Sequence, residues 1–103
     1  LVQQDQIVFL DITADWCATC QFNKINVLDS NKVIDIFKNN NITLIRADWT
    51  KPNKKINIFL EKYDRFGIPF NAFFSENFPN GILLSELLSE KEIVNVIKQI
   101  NNE

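Results

Sequence analysis

Two cysteines three residues apart, Cys17-Ala18-Thr19-Cys20, form the chemically active constellation of this sequence. They follow a nearly continuous apolar stretch, Gln6 to Thr13, which reads as a strand covered on both faces, and they open a helical segment that runs to about Leu28. Unpaired backbone N–H groups and the positive end of the helix dipole favour a thiolate there, lowering the pKa of the first cysteine. Cys20 lies one turn on along the same face, close enough to close a disulfide. Cys17 is thus the expected attacking thiol and Cys20 the resolving thiol that expels a bound partner. Two other readings stand beside this one. A purely structural disulfide over so short a loop contributes about 2 kcal/mol, less any strain, in the chain-entropy picture. A closed zinc site would need carboxylates or a second chain, because one cysteine pair without histidine supplies half a tetrahedral set.

Asp11 interrupts the apolar strand. An unpaired ionised carboxylate is costly there, so burial should raise its pKa. Six residues before Cys17, it falls under the start of the following helix, where it would take up or return the proton of Cys20. The alternative is an exposed strand edge. Trp16 would shield the disulfide and offer an apolar contact to partners, or else belong to the core. Pro69 follows Ile68 at the head of a strand, where proline removes a ladder donor. A cis bond at that point would place an exposed backbone edge beside the cysteines.

The chain has no histidine, which removes Ser-His and Cys-His nucleophile pairs, imidazole metal ligands and histidine bases. Eleven Lys and Arg against 13 Asp and Glu leave a net charge of -2, so nucleic acid and anionic membrane surfaces have no compositional support as partners. With 103 residues, 46% of them hydrophobic, the sequence suits one domain spanning 1–103. Its apolar runs are far shorter than the about 20 residues of a membrane-spanning helix. It contains no methionine and is read as a mature or excised domain from a longer precursor.

The remaining elements must hold the cysteines in place. Ser30 is placed to cap a second helix bearing Val33, Ile36 and Phe37, and Ile42 to Trp49 reads as the second strand. Ile56, Phe59, Leu60 and Tyr63 have amphipathic helical spacing, with Gly67 as the expected stop. Phe70 to Ser75 and Ile82 to Leu84 form the last two strands, joined by the turn-rich stretch Asn77 to Gly81. Ser89-Glu90-Lys91-Glu92 is a capping box before a helix with Ile93, Val96, Ile97 and Ile100 on one face. The order is β-α-β-α-β-β-α, an α/β mixed central sheet flanked by helices. Helices between the first three strands imply parallel crossovers, and the last two strands form a hairpin. The repeated triplets Ala14-Asp15-Trp16 and Ala47-Asp48-Trp49 read as coincidence, since their flanks differ.

A strand, Trp-Cys-x-x-Cys, a helix and a later Ile-Pro before a hairpin together resemble the thioredoxin superfamily. The similarity covers nearly the whole chain. It is closer still to the C-terminal thioredoxin-like domain of DsbD-type thiol:disulfide interchange proteins, carried by Thr13 to Cys20, Ala47 to Thr50, Tyr63 to Pro69 and Leu83 to Leu88. The resemblance implies a protein-disulfide reductase domain on the periplasmic side of the bacterial inner membrane, excised from a longer, membrane-anchored protein. Such a domain takes electrons from a transmembrane domain and passes them to a periplasmic acceptor domain that serves disulfide isomerases and cytochrome c biogenesis. It implies Cys17 as nucleophile, Cys20 as resolving cysteine, Asp11 as buried carboxylate, and Ile68 and a cis Pro69 as partner-binding backbone. The redox-active Cys17–Cys20 disulfide carries the electrons, so no cofactor or metal is expected, and the isolated domain is expected to be a monomer. Ala18-Thr19 stands where ordinary thioredoxins carry Gly-Pro. Lys24 stands where the DsbD-type pattern has glutamate, and a lysine there would tune Cys17 toward thiolate. Other functions open to this sequence are a free-standing periplasmic oxidase or isomerase, and a non-catalytic binding module with a structural disulfide.

Overall fold

The computed structural model describes residues 6–102. Strand β1 (Ile7–Thr13) is followed by helix α1 (Ala18–Asn23), a π-helical turn (Lys24–Leu28), helix α2 (Asn31–Asn39) and strand β2 (Ile42–Asp48). Helix α3 (Lys54–Lys62), strands β3 (Phe70–Phe74) and β4 (Ile82–Leu83), and helix α4 (Glu90–Asn101) complete the elements of the described residues. The four strands form one mixed sheet in the order β2-β1-β3-β4, flanked by helices.

β1 pairs parallel with β2 from Ile7–Ile42 to Thr13–Asp48, and the first crossover is the parallel one expected. The second expectation is corrected: β3 runs antiparallel to β1, pairing Phe70 with Ile12 and Phe74 with Val8. Packing explains the reversal: α3 sets Leu60 against Ile12 and Phe70, at the end of the sheet where β2 finishes. The connection therefore returns the chain to the end it left, with Phe70 opposite Ile12 and Asp48 opposite Thr13. β3 and β4 form the expected antiparallel hairpin.

Alternation along β1 divides the core between the two faces of the sheet. Ile7 and Phe9 join Phe73 beneath Val27, Leu28, Val33, Phe37 and the apolar face of α4. Ile12, Phe70 and Ala72 pack with Leu60 of α3 on the opposite face.

The helix ends follow short-range chemistry. Ser30 caps α2 by accepting from the Val33 N–H, and Ser89 caps α4 by accepting from the Glu92 N–H. The Glu92 carboxylate does not return to Ser89; it accepts from the Ser85 N–H and hydroxyl, so the box is half formed and its acid secures the preceding loop. Gly67 is not the stop of α3. The helix ends at Tyr63 and Asp64, where Asp64 takes a left-handed φ of 57° and the Arg65 N–H reaches back to the Leu60 carbonyl. Aspartate tolerates that conformation through its short polar side chain. Gly81 does need its hydrogen: at φ 87° a Cβ would lie 2.7 Å from the Phe74 ring.

Candidate active site

The cysteines lie where β1 ends and α1 begins. A turn closed by the Cys17 N–H to the Ala14 carbonyl lifts the chain off the strand, and Cys17 becomes the N-cap of α1. Its sulfur accepts the Cys20 N–H at 3.2 Å. The two form a disulfide with Cα atoms 5.2 Å apart, and both are buried, Cys17 at 6% and Cys20 at 3% exposure. Backbone N–H groups at a helix start that face sulfur would stabilise negative charge there once the bond is reduced.

The other predicted residues fall in three places around this pair. Ile68 packs against Ala14, Cys17 and Cys20, and its bond to the buried Pro69 is cis. Trp16 is 61% exposed, so the core reading of it is corrected; its indole N–H donates to the Thr50 carbonyl, and its ring lies 6.3 Å from that of Trp49. Asp11 is 4% exposed in an inner strand, not at an open edge. Burial pushes its carboxyl above the ordinary 3.8, while the Arg46 guanidinium, Nε 3.4 Å from Oδ2, partly holds it back. Lys24 turns its ammonium to Asp29 at 3.4 Å, and Asp29 also lies 3.6 Å from Nη2 of Arg46. A line of alternating charges thus runs from Lys24 through Asp29 and Arg46 to Asp11.

Two groups of residues were given no role by the sequence reading. Asp48 and Thr50 brace the loop before the cysteines: the Asp48 carboxylate accepts from the Thr50 N–H and hydroxyl, and the Thr50 oxygen accepts from the Asp15 N–H at 2.9 Å. These bonds hold the Asp48 carboxyl below its ordinary value. The two similar triplets are therefore neighbours in space, although nothing in their flanks signals it. Asn23, 1% exposed, is the second case: its amide donates to the Glu86 carbonyl and accepts the Leu88 N–H, tying α1 to a loop more than sixty residues away. Among the described residues, no cluster of three or more His, Cys, Asp or Glu is arranged to hold a metal ion, and no helix is long and apolar enough to cross a membrane.

The thioredoxin-like family model matches residues 1–75. The thiol:disulfide interchange protein DsbD of Pectobacterium atrosepticum is 35% identical over 75 residues, covering 72% of this chain. That of Haemophilus influenzae is 32% identical over 71 residues, covering 68%. The matched stretch is 12% of the length of each of these curated relatives. Among solved structures, the oxidised C-terminal domain of Neisseria meningitidis DsbD superposes with a TM-score of 0.73 at 22% identity, over 92% of this chain and 80% of that one. A thioredoxin from Thermus thermophilus gives 0.70 at 15% identity, over 93% and 74%. These two likenesses concern the fold.

Proposed function

The chain belongs to the thioredoxin-like family and carries a Cys17–Cys20 disulfide that supports thiol:disulfide oxidoreductase activity, and from that premise we propose that it is a protein-disulfide reductase relaying electrons by dithiol–disulfide exchange. In the reduced domain the Cys17 thiolate attacks a partner disulfide, forming a Cys17–partner bond and releasing one partner thiolate. Cys20 then gives its proton to the Asp11 carboxylate, and its sulfur attacks that of Cys17. The mixed disulfide breaks, the Cys17–Cys20 bond re-forms, and the second partner thiolate leaves. Two electrons pass to the partner, both partner sulfurs take up protons, and Asp11 returns its proton to solvent.

The observation that carries this reading is the position of the pair: Cys17 caps a helix, receives the Cys20 N–H and packs beside Ile68. Ile68 is the proposed backbone contact for an extended partner segment, with Pro69 holding the strand entry and the exposed Trp16 supplying apolar area. Lys24, one helical turn past Cys20, is the proposed tuning position. The likeness to the DsbD relatives supports a membrane-anchored, periplasmic setting, and with it we propose a transmembrane dithiol as donor and a periplasmic protein as acceptor.

Trapping tests the proposal. Reduced Cys20→Ser should form a stable mixed disulfide through Cys17 with an oxidised protein substrate, reversed by dithiothreitol, and Cys17→Ser should form none. Absence of the Cys17 adduct would remove the relay.

A further inference from the structure

Asp11 sits in a row of three side chains across the sheet, with Arg46 opposite it on β2 and Asn71 opposite it on β3. Residues in register share a face, so all three project from the same side. Arg46 meets Asp11 directly. Asn71 is 3% exposed, and among the described residues neither its Nδ2 nor its Oδ1 has a hydrogen-bond partner. Its backbone carbonyl is already used, accepting the Leu84 N–H. A buried polar group left in this way is costly, because it has given up its hydrogen bonds to water. The rest of β3, Phe70, Ala72, Phe73 and Phe74, is apolar, so packing gives no reason for a carboxamide here. Directly opposed residues have Cβ atoms about 5 Å apart, which puts the Asp11 carboxyl within reach of the Asn71 amide.

We propose that Asn71 is a positioning residue for Asp11, its amide turning to donate an Nδ2–H to the carboxylate whenever Asp11 is ionised. This rests on the proposed part of Asp11 in accepting the Cys20 proton. That acceptance requires an ionised carboxylate inside the sheet, and burial alone opposes it. An amide both donates and accepts, so it meets either protonation state of its neighbour. Its bond to a charged carboxylate is roughly twice as strong as to a neutral one, so the net effect favours ionisation.

The other charges around Asp11 are accounted for. β2 supplies Arg46, and behind it stand Asp29 and, from the π-helical turn, Lys24. β3 carries no charged residue, and α4 turns Ile93, Val96, Ile97 and Ile100 to this face of the sheet, as α2 turns Val33 and Phe37. Helix α1 carries no charged residue. Arg46 is therefore the one cation in direct contact with Asp11 among the described residues, and Asn71 is the uncharged donor across from it.

The test is a carbon-13 carboxyl titration of Asp11 in the oxidised 103-residue chain, native against Asn71→Leu, which nearly matches the side chain in size. The midpoint should rise by about one pH unit, a tenfold loss of the ionised form at a given pH. Asn71→Ser, which keeps a small donor, should move it less than half as far. Should Asn71→Leu not fold, Asn71→Val, suited to a strand, is read in the same way. An unchanged or lowered midpoint overturns the proposal, and so does a shift as large in Asn71→Ser as in Asn71→Leu. The titration does not depend on exchange activity, whereas the proton role of Asp11 is read from exchange rates of Asp11→Asn. Each idea can therefore fail without the other.

Discussion

At the scale of single residues, Asp11 couples the proposed chemistry to stability. Its carboxyl in the folded chain ionises above the ordinary 3.8 because it is buried, with Arg46 recovering part of the loss. Between 3.8 and the folded value, the native state holds a proton that the unfolded chain has released. The resulting contribution to stability is complete below 3.8, falls as pH rises through that window, and stays lost above it. Asp48 has the opposite sense, being held low by Thr50, but it is common to both proteins in the comparison that follows. Asp11→Asn should therefore gain on the native chain in thermal melts as the pH is raised from 3 to 7, while its exchange rate near neutrality falls. A stability gap that stays constant with pH would show that Asp11 is not a burial-strained acid, and an unchanged rate would remove it from proton transfer.

At the scale of elements, Asn23 shows what holds the cysteine helix in place. Its amide satisfies the Glu86 carbonyl and the Leu88 N–H at 2.8 and 3.0 Å, at the junction where α1 passes into the π-helical turn. Asn23→Ala orphans both groups and should cost about 2–4 kcal/mol of stability. Chemical denaturation should show a lower midpoint with an unchanged slope, and a loss under about 0.5 kcal/mol, the level of an ordinary surface substitution, would mean the clamp is not structural. Neither Asn23 nor the reversal of β3 was legible beforehand. Apolar periodicity located all four strands and the helical segments, because burial of one face repeats at the local period. That signal is silent on strand direction, which here follows from where α3 packs on the sheet. It is equally silent on a polar residue whose partners lie in a distant loop. The cysteine pair was singled out by type and spacing and Asp11 by its place in an apolar strand, whereas the cis Ile68–Pro69 bond was implied by the family resemblance. Asn71 was not, since its meaning comes from the strand register that sets it opposite Asp11.

At the scale of the whole molecule, the disulfide stands at the carboxyl ends of the parallel strands β1 and β2, the end of an α/β sheet where the connecting loops leave room for ligands. The sheet below is covered on one face by α2 and α4 and on the other by α3, so the core rests on packing around β1. Around the cysteines the surface combines the exposed Trp16, braced by Thr50, with Ile68 beside the pair. A short disulfide is a minor stabiliser in a chain with such a core, whereas a relay requires that it open and close at a defined potential. The most direct test is therefore the reduction potential of Cys17–Cys20, equilibrated in glutathione buffers and read by alkylation. A reductase relay predicts about -200 mV or lower, toward the roughly -270 mV of thioredoxin. A value near about -120 mV, that of a strong oxidant, would contradict the proposed direction of electron flow.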